Sequence, residues 1–175
     1  MSRIDGEKPL IYVVDQHDEV IGEGRRHDLS PDDIYRVSSV LVYNANNDLL
    51  IAQRKSNKIK EGGMWGPSVA GTVEVGETYV ENATKETCEE LGITESDFVL
   101  KSLVKKLVNA KYTFYCEFFE TTIDKPAEWF TPQASEVEQV AWSKRGELRN
   151  DIVNNPKKYV SGMLDIVELS ERTRP

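Results

Sequence analysis

Apolar and polar positions alternate along most of this chain with the period of two that extended strands require, and the exceptions fall into a few helical stretches. The run Leu10–Val14, the polar segment Asp15-Gln16-His17-Asp18 and the stretch 19–24 predict a β-hairpin over about residues 10–25. A loop containing Ser30-Pro31-Asp32-Asp33 follows. Residues 37–43 and Leu49–Arg54 read as strands joined by the turn-rich Asn44-Ala45-Asn46-Asn47-Asp48, and they are expected to pair antiparallel. The glycine-bearing loop 61–67 leads into a short strand at 68–73. Residues 98–107, 112–122 and 137–142 predict further strands, and residues 146–154 and 156–169 predict helices, with a loop at 126–132.

The best delimited helix is Tyr79–Leu91. Thr78 and Glu81 have the spacing of a capping box, and Gly92 supplies a C-terminal stop. Strands outnumber helices and hairpin links dominate, so a mixed sheet covered by helices is expected, with one helix presenting chemistry.

Composition narrows the function classes. At 175 residues the chain is read as one domain, 1–175, and a 39% hydrophobic, 30% charged composition is that of a folded protein. No apolar run reaches the roughly 20 residues of a membrane helix, and the amino-terminal residues lack a signal-peptide stretch, so a cytoplasmic location without membrane contact is expected. Cys88 and Cys116 are read as reduced thiols. A net charge of −8 argues against a nucleic-acid polymer as partner. An acidic enzyme acting on a phosphorylated small molecule would have to recruit cations or a local basic patch.

On the helix, Val80, Ala83, Thr87 and Leu91 share one arc, and Glu86, Glu89 and Glu90 share another. Like charges three and four apart cost about 0.2–0.5 kcal/mol per pair. A solvated acidic face is the plain reading of three such glutamates. A hard divalent cation such as Mg²⁺ offers another, since it takes carboxylate oxygens and completes its shell with water and substrate phosphates.

The context of that helix is specific. Gly71, five residues, Glu77, seven residues, Lys85-Glu86, then Thr87, Cys88, Glu89-Glu90, Leu91, Gly92 and Ile93 resemble the Nudix box over residues 71–93, with all four glutamates and both glycines in place. Lys85 stands where the family has arginine, and Thr87 where it has a bulky apolar residue. The resemblance implies a Nudix α/β/α sandwich, an α/β fold with a mixed sheet and here an N-terminal hairpin. It also implies Mg²⁺- or Mn²⁺-dependent attack of water on a diphosphate linked to a nucleoside or similar organic group. By the same resemblance Glu86, Glu89 and Glu90 bind metal, Glu77 braces the loop or reaches metal through water, and the Ala70 carbonyl is a further ligand. The proton acceptor is either Glu86 or Glu136 from a later loop, for which a solvated strand-edge acid is the competing role.

Outside the box the hairpin, the Leu-Leu-Ile-Ala-Gln-Arg-Lys run and the Gly-Met-Trp segment resemble the branch that contains isopentenyl-diphosphate isomerase. Its cysteine and histidine beside the first box glycine fall here at Ala70 and Thr72, another metal histidine falls at Tyr35, and two glutamates fall near Ala110 and Tyr112, so the isomerase site is missing. Arg54 and Lys58 match its diphosphate-gripping positions, although either could be a solvated loop cation. Lys55 and Lys60 add charge nearby. Trp65 either packs under the glycine loop or stacks on a substrate base. His17 and His27 are read as surface residues. The leading expectation is a diphosphohydrolase; a Nudix-fold binding or regulatory module is the alternative motivated by Lys85 and Thr87, and an isomerase is the weakest. Monomer and homodimer are both compatible with the sequence.

Overall fold

The computed structural model describes residues 9–109 and 112–174. Its elements are β1 (Leu10–Val14), β2 (Val20–Arg25), β3 (Ile34–Tyr43), β4 (Leu49–Arg54), β5 (Trp65–Gly66), β6 (Val69–Thr72), α1 (Tyr79–Leu91), β7 (Lys101–Asn109), β8 (Thr113–Thr122), β9 (Val137–Ser143), α2 (Arg145–Asn154) and α3 (Met163–Thr173). Short 3₁₀ turns lie at Glu95–Asp97, Ala127–Trp129 and Pro156–Lys158.

β3 organises the sheet. Along one edge it pairs in parallel with β8 from Tyr35↔Phe114 to Tyr43↔Thr122. Its other edge is shared: β1 takes Ile34 and Tyr35, β6 takes Val37 to Val40, and β4 takes Tyr43. The antiparallel pairing of β3 with β4 is therefore present but confined to Tyr43↔Leu49, because β6 occupies the positions a full hairpin would need. β9 and β5 extend from β4, and β7 closes the β8 side.

The period of two along β3 sends its side chains to opposite faces, and each face has its own cover. Val40 and Val42 pack with Ala83, Leu91 and Phe119 beneath α1. Leu41 and Tyr43 pack with Leu148, Ile152, Met163 and Val167 of α2 and α3. The outcome is the expected mixed sheet between helices. The expected helix 156–169 is instead a 3₁₀ turn followed by α3, because Gly162 sits at φ 84° as its N-cap. Among the described residues no helix is long and apolar enough to cross a membrane.

The hairpin is pinned to the rest by Asp18. This turn residue has φ 65° and is 7% exposed. Its carboxylate accepts from Arg36 Nε at 2.7 Å, Lys105 Nζ at 2.5 Å and the Tyr79 hydroxyl at 2.9 Å. Tyr79 opens α1, so β2's turn, β3, β7 and the acidic helix meet at one buried carboxylate.

Candidate functional site

α1 is held at both ends as its sequence predicts. Thr78 Oγ1 accepts from Glu81 N at 3.3 Å while the Glu81 carboxylate accepts from Thr78 N at 2.8 Å. Gly92, at φ 64°, donates its N–H to Cys88 O. Thr87, the polar residue at an apolar box position, is fully buried and donates Oγ1 to Ala83 O at 2.6 Å, so the hydroxyl is satisfied within the helix.

The loop from β6 to α1 is braced by a charged network. Lys85 Nζ lies 2.6 Å from Glu77 Oε1 and 3.2 Å from Glu74 Oε1. Glu77 Oε2 accepts from Glu74 N at 3.1 Å and from Asn82 Nδ2 at 2.9 Å. Asn82 is fully buried; its Oδ1 takes the Ser38 hydroxyl at 2.6 Å and its Nδ2 reaches Thr72 O at 3.2 Å. Burial opposes charge on both partners of the Lys85–Glu77 pair. The hydrogen bonds outweigh it, leaving the ammonium above and the carboxyl below their ordinary values. Lysine thus supplies the brace for which the box uses arginine, and both oxygens of Glu77 are committed to it.

The three remaining box glutamates are arranged unequally. Glu86 lies across Gly71: a β-carbon there would collide with Glu86 Cγ and stand 2.6 Å from its Cδ. Glu90 Oε2 accepts from Ala70 N at 3.3 Å, and Glu89 is exposed. Among the described residues no three His, Cys, Asp or Glu side chains converge tightly enough to cage an ion. The stripe is nonetheless electrostatically unfinished. Burial first, then Glu89, Glu74 and Glu77 against a partial offset from Lys85, pushes the Glu86 carboxyl up to about 7. Burial, Glu86 and Glu136 push Glu90 up to about 8, with Ala70 N and Arg54 pulling the other way. A divalent cation would relieve this strain, and the all-oxygen donor set suits Mg²⁺ or Mn²⁺.

Glu90 opens onto a cleft of about 270 Å³ that is also lined by Arg54, Lys60, Ala70 and Glu136. Arg54 Nε donates to Lys60 O at 3.3 Å, which fixes the loop after β4. Lys58 Nζ is 2.5 Å from Glu136 Oε1, and Lys55 is 3.0 Å from Glu138, so two ion pairs tie that loop to the segment entering β9. Arg54, Glu90 and Glu136 are therefore brought together, with Lys58 joined through Glu136. Trp65, an expected substrate contact, packs against the cluster containing Tyr159 and Met163 and is not among the cleft's lining residues.

Sequence reasoning missed the opposite side of the cleft. Arg26 donates Nη1 to Thr72 Oγ1 at 2.8 Å and Nη2 to the Tyr35 hydroxyl at 3.1 Å. All three line the cleft. Tyr35 and Thr72 are the positions assigned to isomerase metal histidines, so a fixed guanidinium stands between those two positions. Of the two positions near which the isomerase glutamates fall, Tyr112 also lines the cleft, whereas Ala110 lies outside the described residues. Only the pairing of β3 with β6 makes Arg26's two acceptors neighbours.

Comparison with known proteins gives one consistent answer. The NUDIX domain profile matches residues 34–163. A Nudix hydrolase of Pseudomonas aeruginosa is 28% identical over 136 residues, covering 77% of this chain and 79% of that protein. An isopentenyl-diphosphate Delta-isomerase of Photorhabdus laumondii is 24% identical over 151 residues, covering 86% and 85%. Among solved structures, a protein from Deinococcus radiodurans superposes with a TM-score of 0.79 at 23% identity, covering 95% of this chain and 99% of that one, which shows the shared fold.

Proposed function

Because the chain belongs to the NUDIX domain family and is a hydrolase of pyrophosphate bonds, we propose that it cleaves the diphosphate of an organic or nucleoside-linked diphosphate with the help of Mg²⁺ or Mn²⁺. The observation that carries the reading is the placement of two half-buried, strongly perturbed carboxylates one turn apart on α1: Glu90 lines a cleft that also presents Arg54 and Lys60, and Glu86 lies against Gly71, another residue of that lining.

Glu86, Glu89 and Glu90, with the Ala70 carbonyl, would hold the ion. When bound, such an ion polarises phosphoryl oxygens and offsets charge on the leaving phosphate. Arg54 offers a planar fork for phosphate oxygens, and Lys60 a point charge beside it. Glu136 is the favoured acceptor for the proton of the attacking water, since it lines the cleft and its ion pair with Lys58 holds it oriented. Glu86 is the alternative acceptor. Glu77 acts indirectly by keeping the β6–α1 loop in place. Two free thiols, Cys88 and Cys116, fit a cytoplasmic location.

A binding or regulatory module is favoured by one observation, the lack of convergence among the three glutamates. A single assay separates the two. With Mg²⁺ and a panel of diphosphates, the hydrolase releases phosphate products and Glu90→Gln loses at least 100-fold in turnover while remaining folded. Binding of substrate without turnover by the unmodified protein would instead establish the module. Isomerase chemistry is disfavoured by Ala70, Tyr35 and Thr72, none of which supplies a thiol or an imidazole.

A further inference from the structure

Position 82 is one of the seven residues that the box leaves open between Glu77 and Lys85, and here it carries a fully buried asparagine. It sits one turn before Glu86, beside Ala83, on the side of α1 that packs on the sheet. Asparagine is a poor helix former, and burying its amide costs free energy unless the polar atoms find partners. The bonds that offset this cost lead to the acidic stripe.

The orientation of the amide follows from its neighbours. Thr72 O and the ionised Glu77 carboxylate can only accept, so Asn82 Nδ2 faces them, at 3.2 and 2.9 Å. Asn82 Oδ1 then faces Ser38, whose hydroxyl donates to it at 2.6 Å. Ser38 is 1% exposed and is the β3 partner of Gly71, the residue on which Glu86 rests. The same Nδ2 lies 3.5 Å from Glu86 Oε1, a weak, orienting contact beside two firm bonds. Lys85 Nζ stands 3.8 Å from that same oxygen, and a β-carbon at Gly71 would stand 2.9 Å from it. Oε1 is thus the oxygen turned toward strand and brace. Among the described residues, Glu86 Oε2 has no hydrogen-bond partner.

We propose that Asn82 is a positioning residue: anchored by Ser38, it holds Glu86 Oε1 toward β6 and leaves Oε2 as the oxygen that Glu86 offers to a divalent cation. The assignment deepens the hydrolase reading and rests on it for the cation. It adds a buried pair, Ser38 and Asn82, that none of the box's fixed positions includes. Fixing one carboxylate oxygen limits the rotation of the side chain about its last bond, so the ion meets a ligand already aimed.

The test uses Mn²⁺ alone as probe, titrated against the protein with the free ion read by electron paramagnetic resonance. Asn82→Ala should weaken Mn²⁺ binding at least about fivefold. In a Glu86→Gln background the same substitution should change affinity by less than about twofold, because the carboxylate through which Asn82 acts is gone; in a Glu90→Gln background the full effect should remain. Equal weakening in both backgrounds is what general loosening of α1 would give, and it overturns the proposal, as does parent-like affinity in Asn82→Ala. Ser38→Ala, which keeps the amide but frees its oxygen, enters the same cycle if Asn82→Ala does not fold. If the parent binds no Mn²⁺, the metal reading fails separately. In that case, or if Glu86→Gln binds too weakly to read, the Asn82 side-chain amide signals of the metal-free protein decide by nuclear magnetic resonance. A shift in Glu86→Gln that is absent in Glu90→Gln sustains the positioning contact; no shift, or an equal shift in both, overturns it.

Discussion

Glu86 rests directly on Gly71, with its side chain filling the space that any β-carbon at residue 71 would need. The first box glycine is thus a seat for Glu86, the first glutamate of the proposed metal site. Gly71→Ala would displace the flexible end of Glu86 more than the backbone, so function should suffer more than folding. Expected is a loss of turnover of at least tenfold with a stability cost of about 1–3 kcal/mol, read by steady-state assay and denaturant unfolding. Equal loss in Gly71→Ala and in a variant remote from the cleft would contradict this.

Lys85 bonds to Glu77 and Glu74 with all three side chains less than a quarter exposed. Lys85→Met removes the cation and leaves two carboxylates facing each other, at an expected cost of about 1–3 kcal/mol. Lys85→Arg restores the box residue, and because lysine already holds the loop, its rate should stay within about threefold of the parent. A tenfold gain would show that the lysine limits catalysis.

Asp18 contributes stability with a definite pH sense. Burial works against its charge, but bonds from Lys105, Arg36 and Tyr79 prevail, so its carboxyl is held below the ordinary value. A carboxyl depressed in the folded state stabilises above its unfolded value and loses that contribution as pH falls through its folded one. Asp18→Asn should cost about 2–4 kcal/mol at pH 7. Thermal melts of parent and variant should converge as pH is lowered toward 3.

The acidic stripe predicts the opposite sense. Glu86 and Glu90 are raised to about 7 and about 8, so between their ordinary value near 4.5 and those values the folded protein holds more protons than the unfolded chain. In the presence of a chelator, stability should therefore decline as pH rises from 5 to 8.5. Glu90→Gln should flatten much of that decline, and millimolar Mg²⁺ should restore stability at the alkaline end. A denaturant midpoint that is the same at both pH values, in chelator, would refute the assignment.

Local chemistry made part of this protein legible in advance. Strands β1 and β4 and helix α1 have the expected bounds, since turn residues, a capping box and a C-terminal glycine delimit them within a few positions. The spacing from Gly71 to Ile93 singles out Glu86, Glu89 and Glu90, and the structure puts Glu86 and Glu90 where strand and helix meet. Other features depend on contacts distant in sequence. Arg26 looks like an ordinary turn cation until β3 and β6 set Tyr35 and Thr72 beside it. Asp18 likewise reads as solvated turn polarity, yet it is buried by β3, β7 and α1. Trp65 has two readings in sequence because an aromatic beside a glycine loop can face either way, and the C-terminal segment through Tyr159 draws it against the core cluster beneath α2 and α3.

The parallel alignment of β8 with β3 joins segments far apart along the chain, and it sets when each part of the cleft can exist. The capped acidic helix and its loop arise from neighbours in sequence, so they can organise early. The side of the cleft built by β8 needs closure of the long intervening loop, an entropic cost met before its contacts can form. A nascent chain ending before residue 113 would accordingly possess the box glutamates but lack the β8 surface that completes the cleft.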